Sequence, residues 1–225
     1  MNLGVLCSGS GTNLQAILDA TRDGVLAGVA RVVVVISDRP DARALLRARA
    51  FSPPVPAVYV DPGGPGDRAA LDEELLRVLA EHGAQLVCLA GYLRLVGRKL
   101  LSAFPDRVLN IHPALLPAFP GLHAQRRALE HGVRVAGCTV HLVDEGVDTG
   151  PILAQAAVPV YDSDQEDTLR ERILAQEHLI YPMAIRFLCR GRLLRQGRRI
   201  SLRDAPPPPA TPAAMICPDD ADALL

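Results

Sequence analysis

The chain has 225 residues, a formal net charge of −1, 49% hydrophobic residues and 22% charged residues. This composition is typical of one folded globular domain, and the balanced charge gives no reason to expect a nucleic-acid or membrane partner. The apolar runs are too short to cross a bilayer and the N-terminus lacks the basic segment and cleavage site of a signal peptide, so we expect a cytoplasmic protein.

Short apolar runs alternate with stretches of helical periodicity through the first 131 residues. This alternation predicts a mostly parallel sheet with right-handed crossovers. The predicted strands are 3–7, 31–36, 57–60, 85–90 and 108–111. The predicted helices are 13–21, 42–50, 68–82, 98–103 and 124–131.

A small, polar segment with two glycines, residues 8–13, joins the first predicted strand to the first predicted helix. Backbone N–H groups at a helix start favour an anion, so this phosphate loop predicts phosphate binding at Gly11, Thr12 and Asn13. The alternative is a plain tight turn before a capped helix. A dinucleotide site is also open, since Asp38 lies where a ribose-binding acid would, but Leu14 occupies the third glycine position of that motif.

The cysteines and histidines are scattered along the chain. The five cysteines form no C-x-x-C pair, and Cys7, beside the phosphate loop, has no base marked out for it as a nucleophile. The six histidines include no H-E-x-x-H motif. We therefore expect no metal site.

Asn110 and His112 close the fifth predicted strand, two residues apart and so on one face of it. An amide N–H and an imidazolium N–H aimed at one point stabilise a developing oxyanion, and a nearby carboxylate would raise the pKa of His112. With no nucleophilic Ser or Cys beside them, the pair indicates acyl transfer to a nucleophile that the substrate brings. The alternative is a pair of satisfied polar side chains at a strand end.

After residue 134 the pattern changes. Two extended runs, 135–143 and 152–160, flank an acidic, glycine-bearing loop and predict a hairpin or a mixed sheet edge. Ser163 with Glu166 fits a capping box for a long helix to about Cys189, which Pro182 should kink or break. The Pro- and Gly-rich segment 62–66 predicts a loop that can move, and the Pro-rich tail 204–225 predicts extended or disordered chain.

Four segments in this order resemble the phosphoribosylglycinamide formyltransferase family of folate-dependent formyltransferases. They are SGSGTNLQAI at 8–17, LAGYLR at 89–94, NIHPALLP at 110–117 and HLVDEGVDTGPI at 141–152. The resemblance implies the Rossmann-like formyltransferase fold, a twisted, mostly parallel sheet flanked by helices with a mixed edge in the C-terminal half. It also implies one domain over 1–203, with a phosphate-binding half (about 1–105) and a folate and catalytic half (about 106–203).

The resemblance further implies transfer of the formyl group of 10-formyltetrahydrofolate to the amine of 5-phosphoribosylglycinamide, with no metal. Asn110 and His112 would hold the oxyanion, Asp148 would assist, and Gln176 and Glu177 would face the ribose or glycinamide. The partners are these two small molecules, with neither nucleic acid nor membrane, in a monomer or homodimer. The folate contacts are expected at Arg68, Leu93, Arg94, Leu95, Val96, Asn110, Asp144, Glu145, Gly146, Val147 and Asp148.

Other functions stay open at this point. A formyltetrahydrofolate hydrolase would use the same triad with water as acceptor, but we expect it to carry an added N-terminal domain. A transformylase of initiator tRNA would need a further C-terminal domain and a basic surface. A nicotinamide-dependent oxidoreductase would use Gly9, Gly11 and Asp38, and a non-catalytic module would bind the phosphate alone.

Overall fold

The computed structural model describes residues 1–64 and 68–203; the predicted tail, 204–225, and residues 65 and 66 of the predicted loop lie outside this part. Seven strands form one sheet in the order β3-β2-β1-β4-β5-β6-β7. The strands are β1 (Asn2–Cys7), β2 (Arg31–Ser37), β3 (Ala57–Tyr59), β4 (Leu86–Leu89), β5 (Val108–His112), β6 (Val135–Leu142) and β7 (Ile152–Pro159).

The pairing explains the change of sequence pattern after residue 134. Strands β1 to β5 pair in parallel, whereas β6 is antiparallel to both β5 and β7. The parallel strands are continuous apolar runs because helices cover both faces of that part of the sheet. The predicted α/β class and the mixed edge are confirmed.

Two hydrophobic layers enclose the sheet. Helices α1, α2, α5 and α6 contribute to one layer, and α3 and α4 contribute to the other. All five helices predicted before residue 132 are present. The helices are α1 (Thr12–Asp23), α2 (Arg43–Ala50), α3 (Arg68–Glu81), α4 (Arg98–Ala103), α5 (Ala124–Glu130) and α6 (Glu166–Cys189).

The long C-terminal helix differs from its prediction at the start and in the middle. Its capping box pairs Gln165 with Thr168, two residues later than the predicted pair. The helix also runs through Pro182 without a break. One position before that proline, the hydroxyl of the fully buried Tyr181 donates to the carbonyl oxygens of Leu89 at 3.0 Å and Leu109 at 3.2 Å. Helix α6 is thereby fixed against the adjacent strands β4 and β5.

A short hairpin that the sequence did not predict follows α6. Strands β8 (Leu193–Gln196) and β9 (Arg199–Leu202) pair antiparallel as a separate two-stranded sheet. Ile200 packs against the main core, so the hairpin rests on the body of the protein. No helix in residues 1–64 or 68–203 combines the length and apolarity needed to cross a membrane.

Candidate active site

A cleft of about 800 Å³ opens at the carboxyl ends of β1, β4 and β5. This is where ligands gather in an open parallel sheet, because the chain turns in opposite directions after neighbouring strands. The cleft brings together segments that are far apart in sequence. The site residues predicted from the sequence that line this cleft are Thr12, Asn13, Leu93, Arg94, Leu95, Val96, Asn110, His112, Asp144, Glu145, Gly146, Val147, Asp148 and Glu177.

The phosphate loop turns from β1 directly into α1. Gly11 is the N-cap with φ 70°, and a Cβ there would lie 2.8 Å from the Cα of Ala44. Only glycine fits this left-handed conformation and close approach. Because no side chain among residues 1–64 and 68–203 caps the helix, its first N–H groups remain available to an anion beside Thr12 and Asn13.

The phosphate loop is joined to α6 through one short hydrogen bond. Nδ2 of Asn13 donates to Oε2 of Glu177 at 2.6 Å, and both side chains are buried. Burial raises the pKa of Glu177, although the bond from Asn13 opposes that shift. Oδ1 of Asn13 is buried and has no hydrogen-bond partner in the described part of the chain. This end of the cleft therefore offers both a helix start and an acid for a polar ligand.

Asp148 lies at the other end of the cleft and contacts four groups. Its Oδ2 accepts from the N–H of Gly121 at 2.8 Å and lies 3.2 Å from Nδ1 of His112. Its Oδ1 accepts from Asn110 at 3.3 Å and lies 3.5 Å from Nε2 of His141. We call Asn110, His112, His141 and Asp148 the carboxylate centre. Burial alone would raise the pKa of Asp148, but these contacts outweigh it and lower the pKa to about 2.

Both ring nitrogens of His112 face oxygen acceptors. Nδ1 faces Asp148, and Nε2 lies 2.9 Å from the carbonyl oxygen of Phe119. Two acceptors favour a doubly protonated ring, yet the side chain is only 6% exposed. Burial outweighs the charge of Asp148 and lowers the pKa of His112. Asp148 does raise the pKa of His112, as expected from the sequence, but that expectation did not include the desolvation of the ring, which lowers the pKa by more.

Asn110 is held by two neighbours within the carboxylate centre. Its Nδ2 contacts Nε2 of His141 at 3.1 Å as well as Asp148. Nδ1 of His141 lies 2.9 Å from the carbonyl oxygen of Leu142, so the tautomer with hydrogen on Nδ1 leaves Nε2 to accept from Asn110. The donors expected to hold an oxyanion are thus bonded to protein acceptors in this state.

Irregular backbone surrounds the carboxylate centre. Phe119, His123 and Asp148 have φ values of 52°, 58° and 54°, in the left-handed region that non-glycine residues rarely occupy. Phe119 supplies the carbonyl that meets His112, and His123 is the N-cap of α5 and lines the cleft. Such conformations persist where surrounding contacts fix them, and they are concentrated at functional sites.

The predicted folate segment forms one apolar wall of the cleft. Leu93 and Leu95 are 59% and 48% exposed, which leaves apolar surface for a flat ligand. Nε of Arg94 donates to Oδ2 of the buried Asp38 at 2.8 Å. Asp38 therefore holds a protein arginine, which argues against its use as the ribose-binding acid of a dinucleotide site.

Three predicted site residues are not among the residues that line the described cleft. Gly11 shapes the phosphate loop through its backbone, Arg68 is exposed at the start of α3, and Gln176 is half-buried on α6. Their ligand contacts stay predictions. Cys7 is fully buried, and burial raises the pKa of its thiol to about 12, so it is unsuited to act as a nucleophile.

Several residues of the site had no role in the sequence analysis. His141 reaches Asn110 because antiparallel pairing places the two residues opposite each other on β6 and β5. Gly121 and Phe119 contribute only backbone groups, and Arg170 lines the cleft from α6. The signal for His141 was its place at the start of the 141–152 segment. Among residues 1–64 and 68–203, no three His, Cys, Asp or Glu side chains are grouped to hold a metal ion.

Comparisons with a family profile and with individual proteins match this chain to formyltransferases. The sequence profile of the formyl transferase family matches residues 1–185. A trifunctional purine biosynthetic protein of Drosophila melanogaster is 45% identical over 190 residues, and the matched region covers 84% of this chain and 14% of that protein. The phosphoribosylglycinamide formyltransferase of Escherichia coli is 41% identical over 193 residues, which are 86% of this chain and 89% of that enzyme.

A solved structure agrees with the sequence matches. The glycinamide ribonucleotide transformylase 1 of Symbiobacterium toebii superposes with a TM-score of 0.86 and 59% identity. The superposition covers 91% of this chain and 94% of that one. The chain thus spans nearly the full length of two single-activity relatives and a small part of the trifunctional protein.

Proposed function

The chain belongs to the formyl transferase family, and from this we propose that it transfers the formyl group of 10-formyltetrahydrofolate to the amine of 5-phosphoribosylglycinamide in purine biosynthesis. The observation that carries the proposal is the contact of Asp148 with both Asn110 and His112, in the same cleft as the phosphate loop. A cleft with an anion site at one end and an oxyanion site at the other suits a phosphorylated amine substrate.

The ribonucleotide occupies the end of the cleft near α1. Its phosphate accepts from the N–H groups of Gly11, Thr12 and Asn13, where the helix dipole favours negative charge. Its ribose or glycinamide part faces Glu177, whose buried carboxylate accepts from hydroxyl or amine groups. Gln176 stands beside Glu177 in sequence and is assigned a supporting role at the same part of the substrate.

The folate enters between the apolar wall and the loop opposite. Leu93, Leu95 and Val96 cover the flat faces of the pterin, and backbone groups of residues 144–148 bond its edge. Arg94 and Arg68 are assigned to the benzoyl-glutamate portion, since a guanidinium pairs well with a carboxylate. Arg94 is 43% exposed in its side chain and so accessible to a ligand despite its bond to Asp38.

The reaction proceeds by attack of the neutral amine on the formyl carbon. Nε2 of His112 exchanges the Phe119 carbonyl for the oxygen of the tetrahedral intermediate, and Asn110 turns an N–H to the same oxygen. The charge of Asp148 favours the protonated form of His112, and Asp148 passes the proton of the amine through water to the departing folate nitrogen. Holding both substrates in one cleft removes much of the entropic barrier, and the proposed reaction uses no metal.

The decisive experiment supplies 5-phosphoribosylglycinamide and 10-formyltetrahydrofolate and follows tetrahydrofolate and formylated ribonucleotide together. We expect the two products in equal amounts. Tetrahydrofolate released at the same rate without the ribonucleotide would instead identify a hydrolase that uses water as acceptor. Binding of the ribonucleotide without either product would identify a non-catalytic module.

We also propose that residues 1–203 act as one domain in a cytoplasmic monomer or homodimer. The continuous sheet supports one domain, since β4 and β5 pair directly across the boundary near residue 105. Light scattering coupled to size-exclusion chromatography measures the mass per particle. A value of one or two chains is expected, and any larger assembly would contradict the proposal.

A further inference from the structure

The acidic loop of the cleft closes on itself. Oδ1 of Asp144 accepts from the hydroxyl of Thr149 at 2.6 Å and from the N–H of Gly146 at 3.1 Å. A Cβ on Gly146 would lie 2.0 Å from Oγ1 of Thr149, and a Cβ on Gly150 would lie 1.7 Å from the carbonyl oxygen of Leu142. Residues 144–149, called the 144–149 loop below, are therefore tightly packed around Thr149.

Thr149 directly follows Asp148 in the chain. Asp148 has a φ of 54°, a conformation that surrounding contacts must fix, and the peptide of Thr149 is directly bonded to the residue that meets Asn110 and His112. A contact on the backbone of Thr149 thus acts on the carboxylate centre without touching either substrate.

Two arginines contact the 144–149 loop from outside the cleft. Arg98 of α4 donates to both carboxylate oxygens of Glu145 at 2.9 and 2.8 Å. Because the two side chains are 78% and 60% exposed, this ion pair contributes little to the stability of the loop. Arg198, between β8 and β9, donates from Nη2 to the carbonyl oxygen of Thr149 at 2.8 Å. This second bond reaches the backbone next to Asp148.

The β8–β9 hairpin that carries Arg198 is itself fixed to the protein. Ile200 packs against the main core, and Arg195 forms an ion pair with Asp106 on the segment before β5. Leu193 and Ile200 also line a small cavity shared with Phe187 of α6. The hairpin can therefore serve as a firm support for a hydrogen bond to the loop.

We propose that Arg198 is a positioning residue, which holds the 144–149 loop in the geometry that binds folate and presents Asp148 to His112. The inference rests on the proposed function and gives the β8–β9 hairpin a part in it. Since Arg198 lies outside the cleft lining, its effect is transmitted through the carbonyl of Thr149.

The test replaces Arg198 and measures each substrate separately. We expect Arg198→Ala to raise KM for 10-formyltetrahydrofolate about threefold to tenfold, the size of one exposed charge-assisted hydrogen bond, while KM for the ribonucleotide stays unchanged. Arg198→Lys should restore part of the loss, because an ammonium group can donate to the same carbonyl. The matched control is Arg199→Ala, an exposed neighbour whose side chain has no hydrogen bond or ion pair in the described residues, which should leave both KM values unchanged.

The outcomes separate this inference from the proposed function. An unchanged folate KM, equal changes in both KM values, or the same loss in Arg199→Ala would overturn the role of Arg198. If the wild-type chain formylates no ribonucleotide, the proposed function fails instead. Equilibrium binding of 10-formyltetrahydrofolate to the wild type and to Arg198→Ala then still tests whether Arg198 supports the loop.

Discussion

The two ends of the cleft are built in different ways. The phosphate loop is a turn between a buried strand and a helix, and no side chain of the described residues caps the first N–H groups of that helix. The carboxylate centre joins Asn110 and His112 of β5 and His141 of β6 to Asp148, which has a left-handed backbone, and its donors are already bonded to Asp148, His141 and Phe119. The proposed function therefore requires the carboxylate centre, but not the phosphate loop, to exchange hydrogen bonds when substrate binds. Variants at the two ends should therefore affect different kinetic constants.

The largest effect is expected from Asp148→Asn. Loss of the charge removes the carboxylate that faces both Asn110 and His112, so kcat/KM should fall about 10²- to 10⁴-fold in steady-state assays. The ribonucleotide KM should change little, because the phosphate loop is untouched.

Asp164 provides a matched control for Asp148, since hydrogen bonds, chiefly from Arg172, lower its pKa to about 2 as well. It lies before α6, outside the cleft lining. Asp164→Asn should cost about 1–3 kcal/mol of stability in denaturant unfolding and leave kcat/KM within threefold. Equal kinetic losses in both variants would mean that Asp148 acts only on stability.

Asn110→Ala should have the next largest effect. One oxyanion donor is worth about 10²–10³ in rate, so kcat should fall by that factor with both KM values nearly constant. Single-turnover measurements with saturating substrates report this directly. Full turnover in the variant would remove Asn110 from the oxyanion site.

A smaller effect, on binding of the ribonucleotide alone, is expected from a change at the end of the cleft that holds the phosphate loop. Glu177→Gln replaces an acceptor beside Asn13 and should raise KM for the ribonucleotide about tenfold, with kcat changed much less. Glu171→Gln, at an exposed carboxylate on the same helix, should change neither constant. A fall in kcat without a change in KM would contradict the division between the two ends.

A still smaller effect is expected on the pKa of His112. Burial lowers its pKa and the charge of Asp148 raises it, so Asp148→Asn should move the pKa further below the ordinary value of 6.5. Nuclear magnetic resonance titration of the imidazole nitrogens measures this in the free protein. In steady-state kinetics, the limb in which rate falls as His112 loses its proton should move to lower pH by the same amount. An unshifted titration would mean that the two residues are not coupled.

Acid unfolding tests the contribution of Asp148 to stability. Its pKa is lowered to about 2 from an ordinary 3.8, so its stabilisation, about 2 kcal/mol, is complete above pH 3.8 and lost as pH falls through 2. Denaturant titrations of the wild type and Asp148→Asn should converge over that window. A constant difference would show that the lowered pKa does not contribute to folding.

The sequence was most informative where local pattern determines structure. Continuous apolar runs and helical periodicity predicted β1 to β7 and the helices, and Gly11 marked the phosphate loop because glycine is required there. The sequence was least informative about the β8–β9 hairpin, because its strands are only four residues each and only β9 alternates polar and apolar residues.

Within the site, the missed features depend on long-range contacts. The position of His141 opposite Asn110 follows from strand register, which a single sequence does not specify. The lowered pKa of His112 follows from how deeply the loops bury the ring. The sequence motif identifies the functional groups, but the fold determines their hydrogen-bond partners and their exposure to solvent.

The buried hydroxyl of Tyr181 links the two ends of the cleft. It lies one helical turn after Glu177 and bonds the carbonyl of Leu109, the residue before Asn110. The separation between Glu177 and Asn110 is thus set inside the core and not by the loops at the rim of the cleft. The length of substrate that the protein accepts is then a property of its interior packing. Mutations in the core, at residues that no ligand touches, can therefore change that length.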